Sequence, residues 1–154
     1  MEFAPAKELA VMSLREQPLP ADMMLADTPD KAVEFWQAAI ASQPRFNAEV
    51  ENFAVLFLNT RRRVRGFQIV SQGTADTLLV HPREVFRVAI LANAAAVVFL
   101  HNHPSGEATP SEADIKVTRD LIRAGQLLQI QVLDHVIVGH RERTSLRELG
   151  YFAA

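Results

Sequence analysis

The stretch Ala94-Ala95-Ala96-Val97-Val98-Phe99-Leu100-His101-Asn102-His103-Pro104-Ser105-Gly106-Glu107-Ala108-Thr109-Pro110-Ser111-Glu112-Ala113-Asp114 organises the reading of this chain. The run over 94–100 is apolar and rich in branched residues, as in a buried strand. Strand side chains alternate with period two, so His101 and His103 point to one side and Asn102 to the other. Pro104, Ser105 and Gly106 then force a turn. A helix over 110–127 follows. Thr109 suits its cap, Pro110 its first position and Glu112 its third, which leaves Ser111 and Asp114 free. The competing assignment makes Ser111 and Asp114 the capping box themselves. Being three apart, these two share a helical face. Two imidazoles, a hydroxyl and a carboxylate thus gather near one point, and a metal site explains them jointly.

Around this segment, helices and strands mix. A helix over 28–42 starts with Thr28, Pro29 and Asp30, and it places Ala32, Val33, Trp36, Ala39 and Ile40 on one face. Trp36 reads as a core anchor. Residues 51–71 form a hairpin, with strand 53–58, return strand 64–70 and a tip holding Arg61, Arg62 and Arg63. The arginines read as a solvated tip. A short strand over 77–80, a helix over 83–94, a strand over 130–138 and a short closing element over 145–151 complete the list. Residues 1–27 read as an arm or strand, and 28–154 as the domain. The fold class is α/β (α+β), with a central mixed sheet flanked by helices.

Composition narrows the chemistry. The chain has 154 residues, enough for one domain. It contains no cysteine, so any metal is held by histidine and carboxylate. That excludes zinc deaminases, which place a cysteine pair on the metal. A (β/α)₈ barrel, at about 250 residues, is too long for this chain. With 16 Lys+Arg against 18 Asp+Glu, no bulk charge favours nucleic acid or anionic membrane. No run approaches the roughly 20 apolar residues of a membrane span, and the N-terminal charges break any signal-peptide core, so the expected compartment is the cytoplasm.

The pattern His101-x-His103, seven residues, Ser111, two residues, Asp114 resembles the JAMM motif of the JAB1/MPN metalloprotease family. His101-Asn102-His103-Pro104-Ser105-Gly106, Thr109 to Asp114, Leu133-Asp134-His135, Val80 to Val85 and Ser145 to Glu148 resemble its bacterial RadC-like branch. The resemblance covers roughly residues 28–152 and implies the cytidine-deaminase-like fold of that family. It also implies an upstream glutamate. Glu49 and Glu51 both precede the first buried strand, and Glu51-Asn52-Phe53-Ala54-Val55-Leu56 matches the family frame, so Glu51 is chosen.

The family roles, carried onto this chain, make His101, His103 and Asp114 ligands of one Zn²⁺ per chain. Glu51 becomes the general base, and Ser111 the donor to the oxyanion or the holder of the bound water. The implied activity is that of a zinc metallopeptidase or isopeptidase acting on a peptide or protein, with no membrane partner and the oligomeric state open. The alternative is a DNA-associated accessory protein of repair or mobile-element biology, supported by the family label and by Arg61–Arg63 with Arg65. A third reading is a metal-bound interaction module without turnover. No counterpart of the N-terminal helix-hairpin-helix segment of longer RadC-like proteins is expected in residues 1–27. Asn102 is expected to face away from the metal and either to bind backbone or to orient the loop. His81, at a helix start, is expected to be structural rather than a ligand, and His140 to be solvated. Asp134 and His135 are either a contact behind a ligand or a satisfied buried pair.

Overall fold

The computed structural model describes residues 23–73 and 80–152, together with Ala6, Glu8 and Leu9. The expected strand over 77–80, apart from Val80, and most of the arm over 1–27 lie outside the described residues. Within 23–27, Leu25 makes one antiparallel bridge to Arg63.

Among the described residues, five strands form one mixed sheet: β1 (Glu51–Leu58), β2 (Val64–Gly73), β3 (Ala96–Asn102), β4 (Gln131–Val138) and β5 (Arg143–Ser145), in the order β2-β1-β3-β4-β5. Only β3 and β4 are parallel. Parallel neighbours need a long crossover, and the helix α3 (Glu112–Leu128) lies between them in sequence.

Alternation sorts the central strands onto two faces. Ala54, Leu56 and Leu58 of β1 and Ala96, Val98 and Leu100 of β3 pack with Phe35, Trp36 and Ile40 of the first helix. Phe53, Val55 and Phe57, with Val97 and Phe99, pack instead with α2 (Pro82–Leu91) and α3. The sheet is thus covered on both sides, which is why β1 and β3 read as unbroken apolar runs.

The helices depart from expectation at their ends. The α-helix α1 (Pro29–Phe35) is capped by Thr28, whose Oγ1 accepts from Lys31 N at 3.2 Å. It continues as one π-turn over Trp36–Ile40, closed by Ala41 N donating to Trp36 O, rather than as α-helix through 42. Trp36 is core, edge-on to Phe46 at 5.6 Å. α2 stops at Leu91 rather than 94, because Asn93 takes the left-handed conformation (φ 51°) that asparagine tolerates. The assignment of Thr109 as cap of the third helix is corrected: Ser111 is the N-cap, and α3 begins at Glu112. The closing element over 145–151 is the three-residue β5 followed by turns. No helix among the described residues is long and apolar enough to cross a membrane.

Candidate metal centre

The same parity that builds the core builds the site. His101 continues the Val97, Phe99 face of β3 and stands opposite Phe53 of β1. Glu51, two residues before Phe53, therefore faces the same side. One residue out of phase, Asn102 and Asn52 meet on the other face. Asn102 Oδ1 accepts from Asn52 N at 2.8 Å, and its amide donates to Val50 O at 2.9 Å. Asn102 thus turns away from the histidines and holds backbone, as expected.

Past β3, the chain bends back through Gly106, whose φ is +90°. A Cβ there would lie 2.5 Å from the His140 ring, so both conformation and space call for glycine. The bend delivers Ser111 and Asp114 to the strand end. Ser111 Oγ accepts from Asp114 N at 3.0 Å, and Ser111 N donates to Asp114 Oδ2 at 2.9 Å, a reciprocal capping box. Asp114 carries a second task as well. Its Oδ1 is 3.2 Å from His101 Nε2 and its Oδ2 is 3.1 Å from His103 Nε2. The two Nε2 atoms lie 3.0 Å apart. Glu51 Oε1 stands 4.0 Å from His103 Nε2, and Glu51, His101 and His103 offer ligand atoms all within 4.8 Å of one another.

This donor set fits a cation. His103 Nδ1 lies 2.9 Å from the carbonyl of Glu107, which can only accept, so a neutral His103 carries its hydrogen there and leaves Nε2 bare. Bare nitrogen and carboxylate oxygen then face each other across 3.1 Å, an arrangement that a proton or a metal ion must complete. Imidazole nitrogen and carboxylate oxygen are donors that suit several divalent transition-metal ions.

The electrostatics agree. Burial pushes His101 below its ordinary value, against the pull of Asp114. The hydrogen bond to Asp114 raises His103 despite partial burial. Burial alone would raise Asp114, but the hydrogen bonds to His101 and His103 outweigh it and hold the carboxyl well below the usual range. The wall behind is aromatic: Phe53 stacks on His101 with centroids 6.0 Å apart.

All five expected residues come to one place, Ser111 through its reciprocal bonds with Asp114. Asp134 and His135 part ways. Asp134 accepts from Ser145 Oγ, His135 N and Arg147 N, a satisfied structural carboxylate. His135 Nε2 lies 2.7 Å from His101 Nδ1, and its Nδ1 lies 2.6 Å from Thr118 Oγ1. Thr118 was not singled out from sequence. Its signal was a threonine four residues after Asp114, spaced to bond back to that carbonyl inside the helix. Glu49 is exposed, His81 begins α2 without a side-chain cap bond, and His140 is exposed. The hairpin arginines are more engaged than a solvated tip implies. Arg62 bonds Gln131, Arg63 bonds the Met23 carbonyl and Arg65 bonds the Asn93 carbonyl.

A mixed sheet between helices, with histidines and carboxylates converging at the end of a central strand, defines a JAB-type α+β domain with a candidate metal centre. The chain belongs to the RadC-like JAB domain family, which it matches over residues 26–151. It is 40% identical over 151 residues to a UPF0758 protein of Thermosynechococcus vestitus, covering 94% of this chain and 58% of that one. A UPF0758 protein of Halalkalibacterium halodurans is 40% identical over 153 residues, covering 98% and 62%. One of Moorella thermoacetica is 52% identical over 98 residues, covering 64% and 43%. The chain therefore spans less than two thirds of the length of these curated relatives.

Proposed function

We propose that the chain is a zinc-dependent amide hydrolase, a metallopeptidase or isopeptidase acting on a peptide or protein. The observation that carries this reading is the convergence of two imidazole Nε2 atoms and the Asp114 carboxylate within 3.2 Å of one another, with Glu51 beside them. His101, His103 and Asp114 would hold the ion. Zinc supplies Lewis acidity and brings the ionisation of water to about pH 7. Glu51 takes the proton of the attacking water and returns it to the departing amine. Ser111 serves the cap as an acceptor, so its own hydroxyl hydrogen remains to donate to the developing oxyanion.

The test begins with metal content of the purified chain and of a His101→Ala/His103→Ala variant. About one zinc in the parent and none in the variant is expected. Cleavage of peptide and isopeptide libraries follows, with Glu51→Gln as control. That variant is expected to keep zinc and lose turnover; loss of zinc would make Glu51 a ligand instead. A parent that takes up no zinc at neutral pH ends the metallohydrolase reading.

A further inference from the structure

An imidazole that ligates a metal through Nε2 must carry its hydrogen on Nδ1, and the group behind that nitrogen decides whether it does. For His101 the group is a second imidazole: Nδ1 lies 2.7 Å from His135 Nε2. Two imidazoles in contact do not by themselves determine which one donates. The direction is set one step further back.

The Thr118 hydroxyl donates to the main-chain carbonyl of Asp114 at 2.7 Å. A hydroxyl has one hydrogen, so only lone pairs remain for His135 Nδ1, 2.6 Å away. His135 Nδ1 must therefore be the protonated nitrogen. Thr118 and His101 are fully buried and His135 is 1% exposed, so a second hydrogen on His135 would leave a cation in an apolar wall formed in part by Phe53 and Phe99. Its Nε2 is then bare and accepts from His101 Nδ1–H. His101 Nε2 is left bare in turn, and it faces Asp114 Oδ1 at 3.2 Å.

We propose that Thr118 and His135 are positioning residues that lock His101 in its Nδ1–H tautomer and so present a bare Nε2 to the metal; this rests on His101 being a ligand. The relay starts at the carbonyl of Asp114 and returns to its carboxylate. The first turns of α3 thereby set two ligands at once, one through its side chain and one through the hydrogen it passes along. Because the relay ends on a hydroxyl rather than a carboxylate, it orients His101 without adding negative charge behind it.

Thr118→Val keeps the side chain's shape and removes its acceptor. His135 then gains by moving its hydrogen to Nε2 and donating to His101, which drives the His101 hydrogen onto the metal-facing nitrogen. Thr118→Ser keeps the hydroxyl and is the rescue control. The first readout is the tautomer of both rings in metal-free protein, from long-range proton–nitrogen NMR correlations. The second is the zinc dissociation constant, from competition with a chelator. The parent and Thr118→Ser are expected to show Nδ1–H on both rings and to bind zinc alike. Thr118→Val is expected to show a changed tautomer and zinc binding about 10–100-fold weaker.

A parent with hydrogen on His101 Nε2 overturns the relay, and that measurement needs no variant to fold. So does a Thr118→Val protein that binds zinc as tightly as the parent. A chain that takes up no zinc overturns the metallohydrolase reading, and with it the purpose of the relay, whatever the tautomer.

Discussion

Asp114 and Asp134 are buried to nearly the same degree, at 8% and 7% exposed, yet their surroundings push them in opposite directions. Asp134 is raised, because burial outweighs the hydrogen bonds it receives. Those bonds come from donors fixed by the fold: the Ser145 hydroxyl at 2.6 Å, His135 N at 2.7 Å and Arg147 N at 3.1 Å. Asp114 is lowered, because the His101 and His103 imidazoles outweigh burial. Among the described residues its one fixed donor is Ser111 N; the other neighbours are ring nitrogens that bond the carboxylate only when a proton or a metal ion lies between them. Equal burial thus says little about role. A carboxylate whose acceptors are matched by protein donors holds the structure together. One that faces lone pairs is unfinished until a cation arrives.

The sharpest way to break this contrast is to remove each carboxylate. Asp114→Ala is expected to weaken zinc binding by more than the about 10–100-fold typical of residues behind a ligand. It also opens the capping box, so the metal-free protein loses about 1 kcal/mol in denaturant titration. Asp134→Ala is expected to lose stability while still taking up zinc in chelator competition. Equal zinc loss in both variants would erase the distinction. Ser111→Ala asks whether the Asp114 neighbourhood does chemistry beyond holding metal. Zinc should stay, stability should fall by about 1 kcal/mol, and turnover should drop about 10²–10³-fold. A loss of stability with full turnover would make Ser111 a cap alone. Next in size is Asn102→Leu on the matched face of the same strand. It orphans Asn52 N and should cost about 1–3 kcal/mol with zinc uptake unchanged.

How far the sequence could be read follows the same divide. Period two placed His101 and His103 together and Asn102 opposite, because parity survives any uncertainty in strand ends. Parity does not separate Glu51 from Glu49, which are two residues apart; the family frame picks Glu51, which begins β1, whereas Glu49 sits in the preceding turn with its N–H on Asn47 Oδ1. The cap was harder. Thr109 and Ser111 both fit a cap-then-acid pattern. What decides is that Asp114 serves Ser111 and the histidines with one carboxylate, a double task no pattern encodes. The π-turn at Trp36–Ile40 left no mark in the apolar spacing, since α and π turns bury much the same positions. The Thr118–His135 contact joins residues 17 apart on different elements, so only the packing of α3 on β4 reveals which ring nitrogens meet.

The smallest expected effect is the one that tests the signs directly. Asp134 is raised in the folded protein, so the folded state binds its proton more readily than the unfolded chain. Its charged form therefore costs stability above the raised value, and the cost disappears as pH falls through it. Asp114 is lowered, so its contribution is present above the unfolded value of about 4 and is lost as pH falls toward the folded one. Thermal melts of chelator-treated protein between about pH 3 and 7 read both, with Asp134→Asn and Asp114→Asn beside the parent. Asparagine at 134 keeps an oxygen for the His135 and Arg147 amides but denies the Ser145 hydroxyl its acceptor, a constant offset at every pH. What varies with pH is the charge alone. Relative to the parent, Asp134→Asn should fare better near neutrality than in acid, and Asp114→Asn should fare worse. Two differences that run the same way with pH would mean that burial, and not what faces the carboxylate, sets both groups.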